Sequence, residues 1–254
     1  MAKTAVILAA GRGSRLDPGA ANAQETEFSK PLMRLAGRSL LDRTITSCRR
    51  AGARRIVVVT GFRAELVEAE AQLLSKGDVE TIYNRDWQKA NGLSLLACKH
   101  VIDDDFALMM SDHIFETSIL ADMLSLTPVP GSVTLAVDRK IDQVFDLDDA
   151  TKVVVEDGHI VRISKQLGDY NAIDCGLFLC TPAIFDALED AAAESGDCSL
   201  SQGMERVGQV NKFFPFDVGS RRWQDVDTPE MLAQAVTLLE DIDPVVKRIA
   251  KRAG

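Results

Sequence analysis

Apolar residues reach the first half of this chain in short unbroken runs, and between those runs they recur at helical spacing. Thr4 to Ala10 is almost wholly apolar and ends at a glycine, which predicts a short strand buried on both faces. Arg55 to Thr60, Val79 to Tyr83 and Phe106 to Met110 predict further strands. Between the first two, Ser39 to Gly52 sets Leu40, Leu41, Thr44, Ile45 and Cys48 on one side of a helix that stops at glycine. Phe62 to Lys76 and Leu93 to Val101 show the same spacing. Such alternation predicts an α/β fold of three layers, with a mostly parallel mixed central sheet covered by helices on both faces. Ligands of such sheets bind outside the carboxyl ends of the strands.

The second half has a different rhythm. Lys152 to Lys165 reads as two strands around Glu156-Asp157-Gly158, a hairpin with Val153, Val155, Ile160 and Ile163 on its apolar face. A strand from Ile173 to Cys180 is followed by Thr181 as a helix cap and Pro182 in the first helical position. Thr228 begins another helix, with Pro229 first and Glu230 in the opening turn, running to about Ala253. With no repeat and no low-complexity linker, the 254 residues are expected to form a single domain.

Composition narrows the partners. The net charge of −9 disfavours nucleic acid, whose phosphate backbone needs a basic surface. Against that background Arg12, Arg15 and Lys30 form a local cationic cluster, and its target is a small anion. The five cysteines are odd in number and lack C-x-x-C spacing, as befits buried reduced thiols. The apolar runs are too short for a membrane span, and the first strand starts where a signal peptide would lie. Stable membrane insertion is therefore not expected, and the expected location is the cytoplasm.

The candidate chemistry begins at Leu8-Ala-Ala-Gly-Arg-Gly-Ser-Arg-Leu16 and Phe28-Ser-Lys-Pro-Leu32. Gly11 and Gly13 lack a Cβ, so backbone N–H groups can approach phosphate oxygens. Arg15 offers a planar fork and Lys30 a point charge to the same anion. Asp112 ends an apolar strand, as the acid of a magnesium site would, and a second carboxylate comes from Asp225 or Asp227. Both are equally readable as caps or turn residues, since Asp227 directly precedes Thr228. Asn91, Gly92 and Ser94 lie between a strand and a helix, where amides can read a base edge and a glycine permits close approach. The alternative there is a polar helix start. His113 reads as a positioning residue, and Lys152 and Lys165 flank the hairpin where surface lysines often serve only to blunt an edge.

The glycine loop and the Lys-Pro-Leu together resemble the nucleotidyltransferases that join a nucleoside triphosphate to a phosphorylated sugar or alcohol. The runs Ala150 to Leu167, Ala172 to Phe178 and Trp223 to Thr228 extend the resemblance over nearly the whole chain, toward the cytidylyltransferases acting on inositol 1-phosphate. Ser111 stands where many relatives have glycine.

The resemblance implies a Rossmann-like, GT-A-like fold, with residues 1–130 mainly binding nucleotide and 131–254 mainly the acceptor. It implies CTP held by Leu8, Ala9, Ala10, Gly11, Gly13, Arg15, Lys30, Asn84, Asn91, Gly92, Ser94 and Asp112. Magnesium would sit on Asp112 and Asp227, the latter matching better than Asp225. A phosphorylated polyol would meet His113, Lys152, Lys165 and Asp174, with Lys165 on its phosphate; Arg15, Lys30 and Lys165 would carry catalysis. The expected products are CDP-inositol and pyrophosphate. Rival readings are another acceptor (phosphocholine, an aminoalkyl phosphonate or a sugar 1-phosphate) and a non-catalytic nucleotide sensor. Some relatives are fused to a membrane alcohol phosphotransferase; here a separate one is expected downstream, and the chain itself is expected to form a homodimer. The polar loop Asp17 to Glu27 is expected to act as a lid.

Overall fold

The structure, a computed structural model, describes residues 3–16, 28–243 and 246–247; the expected lid and the last residues of the expected terminal helix lie outside the described residues. In chain order the strands are β1 (Thr4–Leu8), β2 (Arg34–Leu35), β3 (Arg38–Ser39), β4 (Arg55–Thr60), β5 (Val79–Tyr83), β6 (Phe106–Met110), β7 (His113–Phe115), β8 (Val133–Asp138), β9 (Lys152–Glu156), β10 (His159–Ser164), β11 (Ala172–Cys180), β12 (Phe213–Asp217) and β13 (Trp223–Asp225). The helices are α1 (Leu40–Ala51), α2 (Ala64–Leu74), α3 (Asn91–Leu96), α4 (Thr117–Ser125), α5 (Ala183–Ser195), α6 (Leu200–Gln209) and α7 (Pro229–Ile242).

A nine-stranded sheet follows the path β10-β9-β11-β6-β1-β4-β5, with β8 on β11 and β12 on β8. β1 pairs in parallel with both β4 and β6, and β11 runs against β6, β8 and β9. The mixed, mostly parallel sheet thus matches expectation. Its alternation explains the unbroken apolar run of β1: Val6, Leu8 and Ala10 enter one core cluster, and Ala5, Ile7 and Ala9 the cluster on the other face.

Local signals set some helix ends. The Ser39 hydroxyl accepts from the Asp42 N–H at the start of α1, and Gly52, at φ +103°, closes it. The Thr228 hydroxyl accepts from Met231 N–H with Pro229 in the first turn of α7. Elsewhere tertiary contacts override the pattern. The helix expected over Leu93 to Val101 begins at Asn91 and ends at Leu96, followed by a 3-10 turn at Lys99–Val101. Thr181 does not cap α5: its hydroxyl donates to the Ser132 carbonyl at 2.9 Å, and Pro182 takes the cap position. β8, buried at every position, and β12 were not anticipated, and they complete the sheet beside β11.

β11 also creates the opening that matters. One edge carries β9 opposite Ala172 and Ile173, then β6 opposite Leu177 to Cys180. Between these partners the register on β8 shifts from Asp174 to Phe178, and Gly176 adopts φ +70°. The interrupted edge faces the carboxyl end of β6, where Asp112 follows.

Candidate active site

Two adjoining cavities of about 330 and 300 Å³ lie at the carboxyl ends of β1 and β6. The first is lined by the glycine loop, with Leu8, Ala10, Gly11, Gly13 and Arg15, and by Lys30, Asn91 and Ser94. The second is lined by His113, Lys165, Asp174 and Asp225. Arg15, Asn91, Asp112 and Asp227 border both, so a ligand could span them.

Lys30 is the hub. Its ammonium is nearly buried and donates to Asp112 Oδ2 at 2.5 Å and to Asp227 Oδ1. Arg15 Nη2 reaches Asp227 at 2.8 Å and Nη1 reaches Asp149 at 2.5 Å. Lys165 Nζ meets the other oxygen of Asp149 at 2.8 Å. Burial works against the charge on Lys30, but the two carboxylates outweigh it and raise its pKa. Burial likewise disfavours the Asp112 carboxylate, yet Lys30 and His113 hold its pKa well below the usual range.

Register explains how residues so distant in sequence meet. β13 runs antiparallel to β7 with Asp225 opposite His113, and Val226 N–H donates to the Asp112 carbonyl at 3.0 Å. Asp227 therefore emerges beside Asp112. Asp225 turns to the second cavity, where its Oδ1 accepts from Gln224.

Two glycines make room for this arrangement. A Cβ on Gly13 (φ +67°) would lie 2.5 Å from Lys30 Cβ, so the loop is clasped around that lysine. A Cβ on Gly176 (φ +70°) would lie 2.4 Å from His113 Nε2. His113 stacks on Trp223 with ring centroids 6.1 Å apart, and its Nδ1 bonds to Asp112 Oδ1 at 2.7 Å. Gly176→Ala should therefore destabilise the fold by about 1–3 kcal/mol, through the strained backbone and the displaced imidazole. Thermal unfolding checks this; an unchanged melting temperature would mean that His113 has room to move.

Several expected site residues are engaged elsewhere. Ala9 packs in the core. Asn84 is buried, donating to Ser94 Oγ at 3.0 Å and accepting from Asp86 N–H, so it braces Ser94. Gly92 lets α3 approach the chain at Cys198, whose carbonyl would lie 2.6 Å from an added Cβ. Lys152 is buried, and its ammonium donates to the carbonyls of Asp148 and Lys165 at 3.0 Å each, which ties the hairpin base together rather than opening it to a ligand. Arg12 lies over the Phe62 ring, 5.6 Å from its centroid. Asn91 borders both cavities while its Oδ1 accepts from Leu200 N–H at the start of α6.

The structure adds Trp87, Lys89, Phe145, Asp149, Phe178 and Trp223 to the lining. Glycine inside a strand was the available signal for the fork at Gly176; Asp149, in the acidic run Asp146 to Asp149, carried none. A further cavity of about 290 Å³ is bounded by α1, β7, the start of α4 and the end of α7, and so meets neither the glycine loop nor the hairpin. All five cysteines are buried with free thiols, and burial pushes those of Cys48 and Cys98 up to about 12.

Asp112 Oδ2 and Asp227 Oδ1 converge on one cation, Lys30 Nζ, so two hard carboxylate oxygens face a common cation position. That donor set suits magnesium, which takes few protein carboxylates and completes its shell with water and substrate phosphates. No group of three or more His, Cys, Asp or Glu that could hold a metal occurs among the described residues.

Residues 5–207 match the model of the MobA-like NTP transferase domain. The chain is 35% identical over 240 residues to a bifunctional IPC transferase and DIPP synthase of Aquifex aeolicus, covering 92% of this chain and 51% of that protein. The protein of the same name from Thermococcus kodakarensis is 37% identical over 236 residues, covering 92% and 50%. This chain thus spans about half the length of these relatives. Among solved structures, the inositol-1-phosphate CTP transferase from T. maritima superposes with a TM-score of 0.74 at 23% identity, covering 92% of this chain and 96% of that one. A UDP-glucose pyrophosphorylase complexed with UDP-glucose gives 0.76 at 16% identity, covering 95% and 99%. Both share the fold.

Proposed function

This chain belongs to the MobA-like NTP transferase domain family, and on that premise we propose that it transfers the cytidylyl group of CTP to inositol 1-phosphate, forming CDP-inositol and pyrophosphate. The observation that carries the reading is the meeting of two cavities at Arg15, Asn91, Asp112 and Asp227, one edged by the glycine loop and Lys30 and the other by Lys165 and Asp174. The names of the relatives and of the structural neighbour support the acceptor.

In the proposed reaction an oxygen of the acceptor phosphate attacks the α-phosphorus of CTP, and the bond to the β-phosphate bridging oxygen breaks in line. The acceptor phosphate is already ionised at neutral pH, so no general base is required. Catalysis is then positioning and charge neutralisation. Arg15 and Lys30 hold the departing pyrophosphate, and Lys165 orients the attacking phosphate. Asn91 and Ser94 lie where they can orient the nucleotide. Asp112 and Asp227 would hold magnesium, which supplies positive charge to the phosphate oxygens. His113 fixes the Asp112 carboxylate.

Asp174 is proposed to accept hydrogen bonds from acceptor hydroxyls. Burial pushes its carboxyl up to about 6, with the charge of Asp225 adding to the rise and the Gly176 N–H and His113 opposing it. A folded-state pKa above the ordinary 3.8 means that stability falls as pH rises from about 3.8 through about 6. Asp174→Asn should therefore gain about 1–3 kcal/mol at pH 8 and nothing at pH 3.5, measured by chemical unfolding. The same variant should lose roughly 10- to 10²-fold in kcat/KM for inositol 1-phosphate, the value of a charge-assisted hydrogen bond. Loss of stability at pH 8 with an unchanged kcat/KM would make Asp174 a structural residue.

A second reading keeps the reaction and replaces the polyol with a cationic headgroup. Phe145, Phe178 and Trp223 line the second cavity beside Asp174 and Asp225, and aromatic faces with carboxylates suit a quaternary amine. Pyrophosphate release, measured across CTP, UTP, dTTP, ATP and GTP with inositol 1-phosphate, phosphocholine, 2-aminoethylphosphonate and glucose 1-phosphate, separates the two. Turnover confined to CTP with inositol 1-phosphate is expected; preference for phosphocholine overturns the polyol assignment, and no turnover overturns the enzyme reading.

A further inference from the structure

Asp149 joins two cations that the proposed reaction assigns to different substrates. Its Oδ2 accepts from Arg15 Nη1 at 2.5 Å and its Oδ1 from Lys165 Nζ at 2.8 Å. One carboxylate thus spans the gap between the glycine loop and the base of the hairpin, with an oxygen directed at each cation, as two oxygens of a phosphate would be.

The surroundings hold Asp149 in this place. Asp149 N–H donates to the Asp146 carbonyl at 3.2 Å in a turn where Asp146 has φ +54°. The buried Lys152 ties the neighbouring Asp148 carbonyl to the Lys165 carbonyl. Burial disfavours its charge, but Lys165 and Arg15 overcome that and keep its carboxyl below the usual range. The backbone is braced while the salt bridges themselves remain accessible: the Arg15, Lys165 and Asp149 side chains are 48%, 45% and 31% exposed, against 7% for Lys30. Partly exposed pairs are weak and screened, so incoming anions can displace them.

We propose that Asp149 is a positioning residue that holds Arg15 and Lys165 in the free protein and competes with substrate phosphates for both. This inference rests on the reading of Arg15 and Lys165 as phosphate-binding cations. A phosphate on Arg15 leaves Asp149 to Lys165, and a phosphate on Lys165 leaves it to Arg15. With both substrates bound, the carboxylate has neither cation and must turn away from two anions. Asp149 therefore sets ground-state affinity on both sides of the site and links them.

Inorganic pyrophosphate tests this by calorimetric titration, because it probes the Arg15 side whichever nucleotide or acceptor the enzyme uses. Asp149→Asn is nearly isosteric and should tighten pyrophosphate binding roughly three- to tenfold at low salt, with the gain shrinking as salt is added. Lys165→Gln should weaken pyrophosphate binding, since the whole carboxylate then turns to Arg15. In the double variant D149N/K165Q that weakening should vanish, a coupling that a merely structural tie does not produce. Unchanged or weaker binding in Asp149→Asn, additive effects in the double variant, or no pyrophosphate binding to the wild type would each overturn the inference. Failure of the proposed reaction instead shows as wild-type protein that binds pyrophosphate but turns over none of the substrate pairs.

Discussion

Replacing Asp112 by asparagine should lower kcat by roughly 10²-fold or more while leaving the fold intact. The substitution keeps the shape of the side chain and an oxygen able to accept from His113 Nδ1, now 2.7 Å from Asp112. It removes the negative charge opposite Lys30, one of two carboxylates in the proposed magnesium site. The reaction crowds an acceptor phosphate against a triphosphate, so losing part of the site that neutralises those charges strikes the transition state directly. Turnover against magnesium concentration, together with the melting temperature, checks it. Near-wild-type kcat at limiting magnesium would exclude Asp112 as a ligand, and a collapsed melting temperature would make its role one of folding.

Lys30→Met should be the most destabilising of these substitutions, at about 3–5 kcal/mol, because it leaves two partly buried carboxylates facing a position with no cation. Methionine replaces the stem of a side chain that is 7% exposed, so the cost arises from charge rather than from a void. The pH dependence follows from the shifts at both partners. Asp112 is depressed, so its contribution is present above the ordinary carboxylate pKa and is lost as pH falls through the folded value. Lys30 is raised, so its contribution is complete below the ordinary lysine pKa and is lost as pH rises through the folded value. The difference between wild type and Lys30→Met should be greatest around neutral pH and narrow below about pH 4. Chemical unfolding at about pH 3 and about pH 7 measures it. The double variant K30M/D112N should lose less than the sum of the singles, since one orphaned charge is gone; additivity would show that the pair does not interact.

The glycine loop, Lys30 and the strand-end Asp112 were legible in the sequence because each is a local feature: an apolar run, then residues whose chemistry suits a loop. β1, β4 and β6 were legible for the same reason, as runs buried on both faces between helices, and β5 as a short β-rich run, although it lies at the sheet edge with none of its residues buried. Lys152 misled because a lysine at a strand end reads as solvated, and only the fold turns its ammonium inward onto two carbonyls. Gly92 misled similarly: its missing Cβ serves the approach to Cys198.

By itself, the sequence determined the elements of the sheet's first half and the glycine loop after its first strand, which follow from residue type and spacing over a few neighbours; the class of chemistry was legible through the family resemblance. Tertiary structure decided which acid joins Asp112 at Lys30, because the antiparallel register of β13 on β7 brings Asp227 there and leaves Asp225 in the second cavity. It also decided the fork in β11 that admits Asp174 and Gly176 to the site, and the bridge of Asp149 between Arg15 and Lys165. Each depends on pairing between segments far apart in the chain. Strand register turns alternate side chains to opposite faces, so a shift of one residue would exchange which of them meet.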